Sequence, residues 1–372
     1  MTDKVAVMVE GQLIRDIVSY SVENDMLSPA DGFQLSVAPL TRKLYELCKP
    51  DASVQIYING TVVLSGFIDD RTRRGSRDAG NVLSVSGRDR GGRLVDESMA
   101  LTTFRGLSLR ALAEKISWPW FSKVSFSNAE NRRRVRGKRA ALAPVANEPV
   151  IKLFNERTKT RRKVEPGEKR WDVLSYFLEP AQLLAWSNAS GDTLIVGQPN
   201  YRQGTQYHFR ALLPSTTSVF PANVEHWEVI DSSAERYTTI TAMGAARGDG
   251  PTYSPSMLRN QATAKSKNLR RTKHLIVADD DIKNPQDAED RAKREMRLRD
   301  AKGHVIKLTV SGHSHELGKK RTLYAFDTMC QFVDELIGLS ARYLIVSAEF
   351  TGARTAQNTS LTLVPEGAEL SL

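Results

Sequence analysis

The sequence predicts a mainly β protein of the α+β class, with a β domain at each end and a mixed helix-and-strand domain between them. Three observations predict it. Residues 53–98, SVQIYINGTVVLSGFIDDRTRRGSRDAGNVLSVSGRDRGGRLVDES, alternate Val54, Ile56 and Ile58, turn at Asn59-Gly60 and return over 62–68; an Asn-Gly pair supplies the two positive-φ residues of a tight hairpin. At the other end, 305–310, 329–335, 342–350 and 360–364 read as strands, being short, β-branched and bounded by turn residues. Helical apolar spacing is confined to short stretches between and beside these runs.

The elements follow in order. VAVMV at 5–9, LIRDIVSYSVE at 13–23 and GFQLSV at 32–37 read as strands, the last entered through the turn Ser28-Pro29-Ala30-Asp31-Gly32. After the hairpin comes a charged excursion, then a strand at 82–85 that stops at Gly87, where a missing Cβ lets the chain leave the sheet. The middle domain opens with Ser108 as N-cap and Leu109, Leu112, Ala113 and Ile116 on one helical face. A second helix carries Trp171, Leu174, Phe177 and Leu178 and ends by Pro180, and 193–196 is a strand.

Residues 201–222 read as a connector, 223–229 and 237–243 as a hairpin ending at Gly244, and 247–267 as a surface loop. Asn284 caps a further helix with Pro285 at its first position. Glu289/Lys293, Asp290/Arg294 and Glu295/Arg299 pair along it, and only Ala288, Ala292 and Met296 offer an apolar stripe, so it lies on a surface. The expected domains are therefore 1–96, 97–200 with a basic insertion, the connector 201–222, and 223–372.

The 372 residues are 40% hydrophobic and 26% charged, the balance of a globular chain with real cores. No apolar run approaches the roughly 20 residues of a membrane span, and MTDKVAVMVEGQ has neither the basic start nor the apolar core of a signal sequence; synthesis in the cytoplasm without membrane insertion is expected. Cys48 and Cys330, far apart, are expected to be buried thiols. The net charge of +10 raises a nucleic-acid reading, but much of it sits in 131–139 and 157–163, without interleaved aromatics to stack on bases. Arg132, Arg133, Arg134, Arg136, Arg139, Arg161 and Arg162 are instead the candidate partner-contact patch, on a loop that is solvated or ordered by its partner.

Residues suggestive of chemistry have simpler readings. His313 and His315 could share a strand face as metal ligands, but no further ligand cluster accompanies them and a solvated turn after Gly312 accounts for them. Asp279, Asp280 and Asp281 precede a helix, where acids are stabilised by the amide end. The glycines of Ser86-Gly87-Arg88-Asp89-Arg90-Gly91-Gly92 lack the Lys-Ser/Thr ending of a phosphate loop and a helix following at once, so Gly87, Arg88, Asp89, Arg90 and Gly91 form a strand-end turn, structural or at an interface. No nucleophile motif is visible. No catalysis, cofactor or metal is expected.

The strand followed by SGRDRGGRLVD at 86–96 resembles the end of the first barrel in the tail-hub (baseplate hub) proteins of Mu-like contractile phages, the late-control D family. The resemblance continues in Glu165-Pro166-Gly167-Glu168, a helix and Gly191-Asp192-Thr193-Leu194, then in 278–301, Val310-Ser311-Gly312, 342–349 and 359–364. Family members often have Cys after the LVD, where this chain has Glu97. Residues 54–85 and 330–364 each place two strands, a charged excursion and a closing strand at nearly equal spacing, which suggests a duplication with 66–70 equivalent to 344–348 and 81–85 to 359–363; the resemblance likewise implies two similar antiparallel β-barrels per chain. It implies a homotrimer in the virion tail baseplate that joins the hexameric tail tube to the trimeric central spike. It further implies contacts with baseplate wedge proteins and the tape measure protein, and a lumen that passes DNA without specific binding. The hub of a tailocin or of a type VI-like secretion spike is the alternative within this architecture, with a nucleic-acid-binding module or a cell-wall hydrolase beyond it.

Overall fold

The computed structural model describes residues 3–77, 80–126, 161–179, 181, 183–211, 222–244, 260–266, 269–279, 282, 284–317, 320–353, 356–368 and 370. The chain divides into two compact bodies, one of residues 1–226, 308–362 and 371–372, the other of 227–307 and 363–370. The fold is mainly β, as expected. Among the described residues no helix is long and apolar enough to cross a membrane.

The first body opens with β1 (Val5–Val9), β2 (Gln12–Ile14), β3 (Ile17–Asp25) and β4 (Gly32–Val37), then a short helix α1 (Arg42–Leu47). A meander of β5 (Ser53–Ile58), β6 (Thr61–Ser76) and β7 (Gly80–Asp89) follows. Asn59 and Gly60 take φ of 51° and 80°, the pair of left-handed residues that the hairpin requires. Val54, Ile56 and Ile58 are buried while Ser53 and Gln55 are exposed, so alternation sets the register. The charged excursion is itself strand: β6 stays paired from Asp70 opposite Ser86 to Ser76 opposite Gly80. The outer half of β6 is largely in water on both faces, so ladder bonds to β7 rather than its own burial hold it and no apolar alternation marks it. Gly87 accordingly lies inside β7, not at its end.

Helix α2 (Gly91–Asp96) follows, then β8 (Thr103–Phe104), α3 (Leu109–Ser117), β9 (Lys123–Phe126), β10 (Arg162–Lys163), α4 (Arg170–Leu178), β11 (Leu184–Ser187) and β12 (Thr193–Gly197). The Ser108 hydroxyl accepts from Ala111 N–H at 3.2 Å, capping α3. Leu112, Ala113 and Ile116 meet Val173, Leu174 and Leu178 of α4 and Leu194 and Val196 of β12 in one apolar core, where each fully buried leucine contributes roughly 2 kcal/mol. Phe104 and Phe177 pack edge to face at 5.9 Å.

The connector holds a strand that the sequence reading missed, β13 (Tyr207–Ala211). Next come β14 (His226–Asp231), β15 (Thr239–Gly244), β16 (Gln261–Lys265), β17 (His274–Asp279), helix α5 (Pro285–Lys302), β18 (His304–Ser311), β19 (Ser314–Leu317), β20 (Lys320–Leu323), β21 (Thr328–Asp334), β22 (Leu339–Ala353) and β23 (Gln357–Pro365). In the first body the antiparallel order is β22-β3-β4-β7-β6-β5-β1-β2, and β21 pairs with β22 and, in parallel, with β13. Cys48 and Cys330 are free, buried thiols, as expected.

In the second body β15 lies between β16, antiparallel, and β17, parallel. The expected partner of β15 is thereby replaced, and β16 occupies the end of the expected loop. Its alternation is carried by Ala262 and Ala264 alone, too small a contrast to read from sequence. Helix α5 is capped by the Asn284 side chain on Asp287 N–H at 2.9 Å. Its stripe is real but covered: Ala288 and Ala292 are fully buried against Ala242, Ala262, Ala264 and Ile282. Small residues on both sides let helix and sheet approach closely.

Candidate functional site

Residues 87–91, the end of β7 and the step through Arg90 into α2, are built by close backbone approach. A Cβ on Gly87 would lie 2.0 Å from Phe67 O and 2.7 Å from the Phe33 ring, and one on Gly91 would lie 2.2 Å from Pro29 O. Gly66, across the ladder, faces Arg88 O at 2.1 Å in the same way. The glycines therefore serve packing between strands. Helix α2 does begin at once after β7, correcting the expectation, but with Arg90 rather than a hydroxyl residue at its N-cap.

Arg88 bonds Asp69 at 2.6 Å and Asp96 at 2.6 and 3.2 Å, tying β6 to α2 through β7. Hydrogen bonding to Arg88 holds the Asp96 carboxyl below its usual value. Asp89 is buried and accepts from Gly91 N–H at 2.9 Å. Burial, then the charge of Asp89, pushes the Asp31 carboxyl well up, and burial raises Asp89 too. Arg90 reaches into the middle domain to donate to Trp120 O at 3.2 Å, and Arg93 pairs with Asp51 while covering the Phe67 and Trp120 rings at 4.8 and 5.4 Å. Glu97 accepts from Trp120 Nε1 and from Arg170, whose guanidinium also donates to Ile116 O and Trp118 O at 2.7 Å. The motif is a joint between the first meander and the α3–α4 core, with no nucleophile in it.

A second cluster was only half visible in sequence. His313 and His315 are not on a solvated turn: both are buried, His313 against Tyr20 and Phe350 and His315 among Tyr207, Phe209 and Tyr324. Tyr20 Oη and His313 Nε2 are 2.6 Å apart, and His313 Nδ1 and Thr359 Oγ1 3.0 Å. Thr359 donates its hydroxyl proton to Gly312 O at 2.7 Å, so it accepts from His313, which is neutral with its proton on Nδ1. Nε2 then accepts from Tyr20, whose oxygen receives Gln357 Nε2–H at 3.2 Å. Burial pushes His313 down to about 4 and Tyr20 up to about 12.

Asp3 anchors the same cluster. It accepts from His313 N–H at 2.7 Å and Ser314 Oγ at 3.2 Å, pairs with Arg321 at 2.8 Å and takes a bond from the Asn59 amide. Burial would raise its carboxyl, but these partners together hold it below its usual value. Asp3, Tyr20, Asn59, Arg321, Gln357 and Thr359 have no common sequence signal, since separations such as that of 354 residues between Asp3 and Gln357 leave no local pattern. Among the described residues no group of three or more His, Cys, Asp or Glu could hold a metal ion.

Of the basic patch, Arg132, Arg133, Arg134, Arg136 and Arg139 lie outside the described residues. Arg161 is exposed. Arg162 is engaged internally, paired with Glu168 and set over the Tyr176 ring at 4.3 Å.

This fold is similar to that of two solved tail proteins. It matches the tail protein from Neisseria meningitidis MC58 with a TM-score of 0.75, 21% identity, and 99% and 98% of the two chains covered. It matches the 43 kDa tail protein of prophage MuSo2 from Shewanella oneidensis with a TM-score of 0.75, 19% identity, and 99% of each chain. Residues 4–89 match the family described as Mu phage baseplate assembly protein GpP-like, N-terminal. Along the sequence the chain is 24% identical over 327 residues to the baseplate hub protein gp44 of Escherichia phage Mu, covering 86% of this chain and 76% of that protein. The resemblance to tail-hub proteins of Mu-like phages is thus borne out.

Proposed function

We propose that this chain is the baseplate hub of a contractile phage tail, a trimer that adapts the hexameric tail tube to the trimeric central spike and leaves a lumen for DNA. The observation that carries the reading is the similarity to the Mu hub over 86% of the chain, with the baseplate-assembly domain at its start. Its place is the virion tail baseplate, and its role is mechanical rather than catalytic. The segment 87–91 and the cluster around Asp3 suit such a role, since each fixes distant segments by bonds that leave no reactive group exposed.

A two-barrel subunit is supported by two meanders of like plan. β6 is 16 residues and β22 is 15; each is preceded by a shorter strand and followed by a hairpin return. Ala353 N–H to Ala356 O at 2.8 Å, with Ser347 Oγ to Thr362 Oγ1 at 3.2 Å, sets the return of β23 on β22. Three chains with two such units would offer six similar faces to the tube and three to the spike. The basic insertion then lies on the outside of the ring, meeting an acidic neighbour. The middle segment keeps its own apolar core, which supports treating 97–200 as a domain.

The test is the copy number of this chain in imaged particles together with rescue of a hub-deficient tail. Three copies at the junction of tube and spike, with restored tails, is the expected result. One or six copies, or normal tails without the protein, would overturn the reading.

A further inference from the structure

Within the first body, a cavity of about 450 Å³ opens between the start of β6, the β11–β12 turn, the segment leading into β21 and the inner half of β22. Its size falls among ligand sites, which run roughly 300–1,000 Å³. Its walls are aromatic: Trp186, Tyr324 and Phe350 are buried, and Phe326 meets Trp186 edge-on at 6.3 Å. Thr61 and Ala325 at its rim are exposed.

The polar groups in this wall favour one kind of guest. Asn24 is 9% exposed and donates its amide to Val63 O at 2.9 Å, which fixes the orientation of the side chain. Its Oδ1 is then a buried acceptor without a hydrogen-bond partner among the described residues, a state that costs roughly 1–3 kcal/mol until a donor arrives. Asp327 is the one charged residue of the lining, where no lysine, arginine or histidine stands. Its carboxylate accepts from Asn200 N–H at 2.9 Å, and burial, with no cation in the lining to offset it, pushes it up to about 6. An unpaired acceptor and an anion among ring faces call for a planar, donor-rich cation.

We propose that this cavity is a socket for an arginine side chain presented by a neighbouring protein chain, its guanidinium received by Asp327 and Asn24 and stacked among Trp186, Phe326 and Tyr324. A peptide rather than a free cation is the occupant because the volume corresponds to roughly fifteen waters, about twice the eight heavy atoms of an alkylguanidinium, and so leaves room for the backbone that carries it. The inference does not depend on the hub reading, because it is tested on the isolated chain.

The experiment titrates the purified protein with acetyl-Ala-Arg-Ala-amide, the same peptide with norleucine in place of arginine, and butylguanidinium, read by ligand-observed NMR. The arginine peptide is expected to bind at least tenfold more tightly than the norleucine peptide and at least threefold more tightly than butylguanidinium, with Asp327→Asn removing tenfold or more. Equal binding of the two peptides, or none by either, would overturn the socket; butylguanidinium binding as tightly as the peptide would overturn the choice of a protein occupant. The wild-type comparison of peptides decides the matter even where a variant fails to fold.

Discussion

The two meanders of the first body, β5-β6-β7 and β21-β22-β23, share strand lengths and order but are secured differently. The first is closed by its own backbone: Gly66 and Gly87 bring β6 and β7 so near that carbonyl oxygens occupy the space of a side chain. The second is closed by side chains from afar: a Cβ on Gly352 would lie 2.3 Å from the Tyr20 ring, and Tyr20 holds His313. Their outer neighbours differ too, since β1 is antiparallel to β5 whereas β13 is parallel to β21. A strand plan can therefore recur while the chemistry that fixes it does not.

The largest break in this comparison should come from the glycines. Gly87→Val puts a branched side chain against Phe67 O, which is backbone and cannot move aside, and is expected to remove at least about 4 kcal/mol in denaturant unfolding. Gly352→Val meets only the far end of a tyrosine ring and is expected to cost about 2 kcal/mol. Equal losses would erase the distinction between the two closures.

Next in size is Asp3→Ala, which removes the carboxylate that Arg321 and the His313 N–H share and leaves Arg321 its 3.5 Å pairing with the exposed Glu316; a loss of about 3 kcal/mol is expected, and about half that for Asp3→Asn. A change below 0.5 kcal/mol would show that the second closure does not depend on the anchor.

A pH series sharpens the contrast further. His313 has its folded value depressed to about 4, so its stability is fully present above the unfolded value near 6.5 and declines toward 4, by about 2 kcal/mol between pH 7 and 5. Asp31 and Asp89 are raised by burial, so their contribution runs the other way, present at low pH and lost as pH rises above about 4. His313→Gln should leave a stability that falls with rising pH, and Asp31→Asn with Asp89→Asn one that rises more steeply. Unchanged slopes in both variants would refute the assignment.

The smallest effect is expected at the tips. Leu336 and Ile337, 71% and 59% exposed at the turn after β21, can both become serine with a change within about 0.5 kcal/mol; a larger loss would mean that the tip is packed.

What was legible in the sequence was local. Asn59-Gly60, Ser108 ahead of Leu109 and Asn284-Pro285 each carry their whole instruction within a few residues, and each element formed as read. The outer half of β6 and all of β16 were not legible, because strands held by ladder bonds with little inward bulk show no alternation. β13 was missed because a five-residue strand in a turn-rich stretch is decided by its partner, β21. For the candidate sites, the segment 87–91 could be located but not its reach to Trp120, and His313 was placed in water because nothing near it in sequence announces Tyr20 or Asp3.

The cluster around Asp3 also sets a timetable. Asp3 leaves the ribosome before Asn59, His313, Arg321 and Gln357, which complete its bonds one after another, the last separated from it by 354 residues. At translation rates of roughly 5–20 residues per second, the amino-terminal strand waits on the order of twenty seconds to a minute before its final partner exists. The first meander can close within that interval; the second cannot. Synthesis thus withholds the finished cluster until Gln357 and Thr359 have been made, and a chain stopped before them would carry an unlatched amino-terminal strand.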